Sequence, residues 1–229
     1  MYVHLRNCLA TAVLLAASVA TSQAAPLTVD TTANIYYSDG GGTSPVVVSL
    51  PANAVSMTFT ASGSITINSG GNYNDPDGIG SAQGIVNSGS STISGISGAH
   101  AGFLAGAFLG STTPASLPAN LDFSTSNFAS LSPMLNQAFF IGDGLTGDGT
   151  GSTQTFYVPT GATQLLLGLA DACAYNGAPS CYADNSGSYS VTASITTAAP
   201  AAVPEPATLL IFGLGLLGLG AVTRRRTLS

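Results

Sequence analysis

Between Ala25 and Val203 the chain holds nine aspartates but no Lys, no Arg and no Glu, and His100 is its one histidine. Carboxylates without basic partners must stay hydrated, engage backbone N–H groups or hold a cation. Asp171 follows the apolar run Leu165–Leu169, and the Asp184-Asn185 pair precedes Ser186-Gly187-Ser188-Tyr189, where an alternating pattern resumes. Two strands ending there would bring Asp171, Asp184 and Asn185 to one rim. Such oxygen donors suit Ca²⁺, which takes about 6 to 8 oxygens. The same residues also fit an Asp-Asn turn that only reverses the chain, and both readings stand at this point.

Cys173 and Cys181 bracket the seven residues between these acids. The third cysteine, Cys8, falls in the leader described below, and the pair that remains predicts a disulfide, which would stiffen the loop. Two further acidic stretches, Asp75 and Asp77 in NDPDG and Asp143 and Asp148 in GDGLTGDG, lack EF-hand spacing and read as polar turns. One histidine, with no Lys or Glu, removes the usual acid–base players, and no GxSxG elbow occurs. A non-catalytic protein is expected. A surface of unpaired carboxylates also repels nucleic acid, whose binding rests on phosphate neutralisation.

The elements that must position these groups read as strands. Val55, Met57 and Phe59 alternate with Ser56, Thr58 and Thr60, and Tyr189, Val191, Ala193 and Ile195 alternate with serines and threonines. Shorter β-rich runs lie at Ala33–Tyr37, Val46–Leu50, Ala138–Ile141, Thr155–Val158 and Gln164–Leu169, separated by Gly, Asn, Asp, Ser and Pro. His100–Leu109 fits a strand or a tight helix. Asn87–Gly98 and Ser111–Pro133 read as surface excursions. The class expected is all-β: a single β-sandwich, jelly-roll-like, over 25–197.

Both ends carry addresses. Arg6 precedes an apolar segment, and small residues lead to Ala24, so 1–24 reads as a signal peptide. Residues 198–206 form a linker ending in Pro204-Glu205-Pro206; an apolar run, 207–223, follows, then Arg224, Arg225 and Arg226 within the tail 224–229. As a helix the run spans roughly 25 Å, the short end of what a hydrocarbon core of about 30 Å requires. The arginines hold the last residues on the cytoplasmic side. This order of Pro-Glu-Pro, apolar span and Arg cluster resembles the PEP-CTERM sorting signal. The resemblance implies an exosortase partner that cuts at Pro-Glu-Pro, a membrane anchor before cutting, and a cell-surface or extracellular-matrix destination afterwards.

Around Asp171 and Asp184-Asn185-Ser186-Gly187-Ser188, and more weakly through FYVPTGATQLLLGLADA, the chain resembles the calcium-dependent galactophilic bacterial lectins. That resemblance implies Ca²⁺ on Asp171, Asp184 and Asn185, with backbone carbonyls from Cys181 and Ile67, and binding of extracellular polysaccharide. Gln83 matches the family's sugar-contacting glutamine, whereas the family's histidine has no counterpart in GIGSAQG. Asp184 stands where the family has asparagine, and the loop is longer and holds the cysteine pair. A structural matrix protein without specific ligand is the alternative.

Overall fold

The structure, a computed structural model, describes residues 19–37, 40–67, 73–78, 84–125 and 127–199. The chain divides into two units, Met1–Ala199 and Pro200–Ser229. The second unit lies outside the described residues. So do Gln83, most of the leader, Pro204-Glu205-Pro206, the span 207–223 and Arg224–Arg226. Among the described residues no helix is long and apolar enough to cross a membrane.

The described part of the first unit is all-β, as the alternation predicts. Its largest sheet has seven strands in the order Ala20–Gln23, Ser186–Thr197, Ala54–Thr66, Thr155–Tyr157, Ser130–Leu131; Leu27–Asp30 also pairs with the last strand, and Tyr73–Asn74 with the long one. The long and last strands run antiparallel with Ala193 opposite Phe59 and Ile195 opposite Met57. Tyr189, Val191, Ala193 and Ile195 are all buried. Met57 and Phe59 are buried too, but Val55, on the same face, is 42% exposed because the core ends before it.

A second sheet orders Ala138–Phe140, Ala105–Gly110, Ala162–Gly168 and Val46–Ser49, all antiparallel. Leu165, Leu166 and Leu167 are each fully buried, so both faces of this sheet are covered, the usual meaning of an unbroken apolar run. The two sheets meet sandwich-fashion through rings: Phe156 of the first lies 5.5 Å from Phe139 of the second and 5.2 Å from Phe59. The ambiguous run His100–Leu109 resolves as a strand from Ala105.

Three expectations are corrected. Neither Asn87–Gly98 nor Ser111–Pro133 is simply a surface excursion: Ile85–Gly89 and Ser94–Gly98 form a third sheet with Asn176–Gly177 and Leu121–Phe123, Ser130–Leu131 joins the first sheet, and Ile85, Ile93, Ile96 and Phe123 are buried. Ser94 docks this sheet on the second, its N–H donating to the Asn136 carbonyl (2.9 Å) and its Oγ accepting from the Ala138 N–H (3.1 Å). Ala33–Tyr37 makes only isolated bridges and turns, because the Asn34 side chain accepts the Tyr36 N–H (2.8 Å) in an Asx turn and Tyr37 has a φ of 62°. Within the predicted leader, Ala20–Gln23 lies as an edge strand along Ser194–Thr197 with all four residues exposed.

Candidate functional site

Asp171 lies just past the buried strand Ala162–Gly168, and a disulfide joins Cys173 to Cys181, as the cysteine count predicts. Ala174, Tyr175 and Cys181, all within or closing that loop, adopt left-handed φ values of 52°, 60° and 67°. Every polar atom of Asp171 is engaged. Its N–H donates to the Tyr182 hydroxyl (3.0 Å), its carbonyl accepts from the Asn87 amide (2.7 Å), and Oδ1 accepts from the Ala172 N–H (2.7 Å). Oδ2 accepts from the Asn185 amide (2.9 Å), which also donates to the Thr31 carbonyl (3.2 Å).

Asp171 and Asn185 therefore meet at one rim, as the strand ends require, while Asp184 stays exposed on a 3₁₀ turn. Burial pushes the Asp171 carboxyl up to about 6; the Asn185 amide and Ala172 N–H hold it down, and the Asp184 charge adds to the rise. The pair is closed at the carboxylate, while Asn185 Oδ1 is buried without a hydrogen-bond partner. As the side chains stand, Asn185 offers Asp171 its donor end, and a cation bridging the two would have to turn the amide over.

A second acidic site draws on segments far apart in the chain. Asp75, Asp77 and Asp148 each place one carboxylate oxygen within 4.8 Å of the others'. Asp75-Pro76-Asp77-Gly78 is a tight turn in which the Gly78 N–H donates to the Asp75 carbonyl (2.9 Å) and Asp75 Oδ1 accepts from the Asp77 N–H (3.0 Å). Gly78 has a φ of 99°, which suits its place at the end of the turn. Three contacts fix that turn to the sheets. The Tyr189 hydroxyl lies 2.7 Å from the Asp75 carbonyl and 2.8 Å from that of Gly102. The Leu104 N–H donates to the Pro76 carbonyl (2.9 Å), and the Asp143 N–H donates to Asp77 Oδ1 (3.1 Å).

Asp143 organises the opposing segment, with Oδ1 accepting from the Leu145 N–H (2.7 Å) and Oδ2 from the Gly149 N–H (3.0 Å). That leaves Asp148, next to Gly149, with a carboxylate oxygen within 4.8 Å of one on Asp75. Burial first, and then the Asp148 carboxylate, raise the Asp75 carboxyl above its ordinary range. Asp77 is pushed up to about 7, chiefly by burial and further by the charges of Asp143 and Asp75, while the Asp143 N–H acts against the rise. Asp77 Oδ2 is buried with no hydrogen-bond partner. These three carboxylates could hold a metal. The sequence shows the two turns separately; it gives no sign that they meet.

A cavity of about 260 Å³ adjoins this cluster, lined among others by Asp77, His100, Phe103, Phe123, Ser124 and Asn127. The Phe103 and Phe123 rings pack on Phe140 at 5.1 and 5.8 Å, and His100 Nδ1 is buried without a partner.

Residues 202–226 match the PEP-CTERM protein-sorting motif. The chain carries an exosortase sorting signal. A PEP-CTERM signal implies an exported protein, anchored in the membrane before processing by exosortase. Pro204, Glu205, Pro206 and the three arginines fall within the matched residues. No curated protein and no solved structure matches the chain, so the lectin resemblance of the ectodomain gains no support from relatives.

Proposed function

We propose that the sorting signal delivers a non-catalytic, calcium-dependent carbohydrate-binding ectodomain to the cell surface or extracellular matrix, with polysaccharide as its partner. In this reading the 207–223 span holds the protein until it is cut at Pro204-Glu205-Pro206, and the sandwich is a jelly-roll variant. The observation that carries the ligand class is the cavity beside Asp77. Phenylalanine rings form its apolar wall, and Ser124, Asn127 and His100 bring polar groups to it. A sugar ring has the same division, an apolar C–H face and a rim of hydroxyls, and a few convergent polar groups in a concave apolar site are the usual makings of a ligand pocket. This reading moves the sugar away from the Asp171 rim, where the carboxylate is already satisfied.

The test is a glycan array probed with the full-length protein in calcium and in chelator. Selective binding in calcium is expected, and Asn127→Ala, an exposed position, should weaken it roughly three- to tenfold, the worth of one hydrogen bond. Absence of any bound glycan at saturating calcium would leave the structural matrix protein as the better account.

A further inference from the structure

We propose that Asp75, Asp77 and Asp148 form a divalent-cation site of calcium type that clamps the Asp75–Gly78 turn to the segment around Asp143–Gly149. The first support is proximity. Three carboxylates from segments about seventy residues apart converge within 4.8 Å. Carboxylates that close repel unless a proton or a cation lies between them. The chain supplies no cationic side chain for the purpose, since no Lys or Arg occurs between Ala25 and Val203.

The second support is independent of the clustering. Asp77 is only 8% exposed, and its Oδ2 has no hydrogen-bond partner. A buried acceptor left so carries its full desolvation cost unless something absent from the polypeptide completes it. Oδ1 is already taken by the Asp143 N–H, so the orphan oxygen is the one free for a ligand.

The donor set selects the ion class. All three side chains offer hard carboxylate oxygens, whereas zinc sites are usually built with His or Cys. Asp75 and Asp148 are exposed, which leaves room for water to complete a flexible shell of the calcium kind rather than a strict octahedron. Asp143 shapes the site without joining it, as both its oxygens accept backbone N–H groups. Gly142 packs directly on this carboxylate: a Cβ there would collide with Asp77 Oδ1 and the Phe140 ring.

The inference stands apart from sugar binding, because it is read by melting in the absence of any glycan. Full-length protein in detergent, stripped with chelator, is unfolded thermally with and without Ca²⁺. An extracellular-type site has a Kd on the order of 0.1–1 mM, so millimolar Ca²⁺ in about tenfold excess should raise Tm by on the order of 3–6 °C. Asp148→Asn, at an exposed position where folding is not at risk, should abolish the rise. Asp184→Ala should leave it intact. No calcium-induced rise in the parent protein, a rise that persists in Asp148→Asn, or one lost in Asp184→Ala would each overturn the assignment.

Discussion

Asp171 and Asp77 are both more than nine-tenths buried, at 3% and 8% exposure, yet one is surrounded by donors and the other by acids. Around Asp171 the chain supplies the Asn185 amide and the Ala172 N–H, one for each carboxylate oxygen. Around Asp77 it supplies one backbone N–H and three more aspartates. A buried charge is tolerable only when paired or hydrogen-bonded. The first site meets that condition from within the polypeptide, and the second meets it only with a proton or a cation from outside. Burial and carboxylate chemistry alone do not mark a metal site; what marks it is a shortage of protein donors.

The largest effect should come from giving the first site the second site's deficit. Asn185→Leu removes the amide from Asp171 Oδ2 and should cost about 3 kcal/mol near pH 7, the range for stripping one partner from a buried charge. Folding already raises Asp171 to about 6. The folded state therefore binds more protons than the unfolded one between about pH 4 and 6, and stability from this group is complete below that window and lost as pH rises through it. Without the amide the folded value climbs further, so the deficit of Asn185→Leu should shrink when denaturation is repeated near pH 5. An equal deficit at both pH values would mean that lost packing, not an unpaired carboxylate, is responsible.

A paired substitution separates the two sites by a smaller margin. Each acidic loop is held by a tyrosine hydroxyl: Tyr182 accepts the Asp171 N–H and donates to the Leu169 carbonyl (3.2 Å), while Tyr189 serves the Asp75 and Gly102 carbonyls. Tyr182→Phe strands a buried N–H and should cost about 2 kcal/mol. Tyr189→Phe should cost about 1 to 2 kcal/mol, because the Asp75 carbonyl keeps the Gly78 N–H while the buried Gly102 carbonyl loses the hydroxyl. Only Tyr189→Phe should also reduce the calcium-induced gain, measured from denaturant midpoints with and without chelator. Equal calcium responses in the two variants would break the link between Tyr189 and the acidic cluster.

How far each region could be read from sequence follows from the distance over which its contacts act. The last strand was plain, because Tyr189, Val191, Ala193 and Ile195 keep period two along one buried face. Asp171 and Asn185, 14 positions apart and flanking a loop between two strands, could be placed together by the same argument. The third sheet hid because Ser94-Gly95-Ile96-Ser97-Gly98 carries one large apolar residue, too few to show a period, and its burial depends on docking through Ser94. Ala33–Tyr37 misled in the other direction: its β-rich composition was overridden by the side-chain acceptor of Asn34. Asp77 and Asp148 meet only because Tyr189, Leu104 and Asp143 anchor their two turns, a tertiary arrangement that no local spacing encodes.

The smallest effect is also the one with an unusual sign. In chelator, Asp77→Asn should leave stability unchanged or raise it by less than about 1 kcal/mol, since it deletes a charge from a buried place among like charges while its new amide can donate to Asp75 or Asp148. The matching change at the other site, Asp171→Asn, sets one amide against another and must destabilise. In calcium the order reverses for Asp77→Asn, which loses the ion's contribution and should melt below the parent protein. Thermal melts of both variants in both conditions give four comparisons with the parent, and a destabilised Asp77→Asn in chelator would show that Asp77 Oδ2 has a partner within the fold after all.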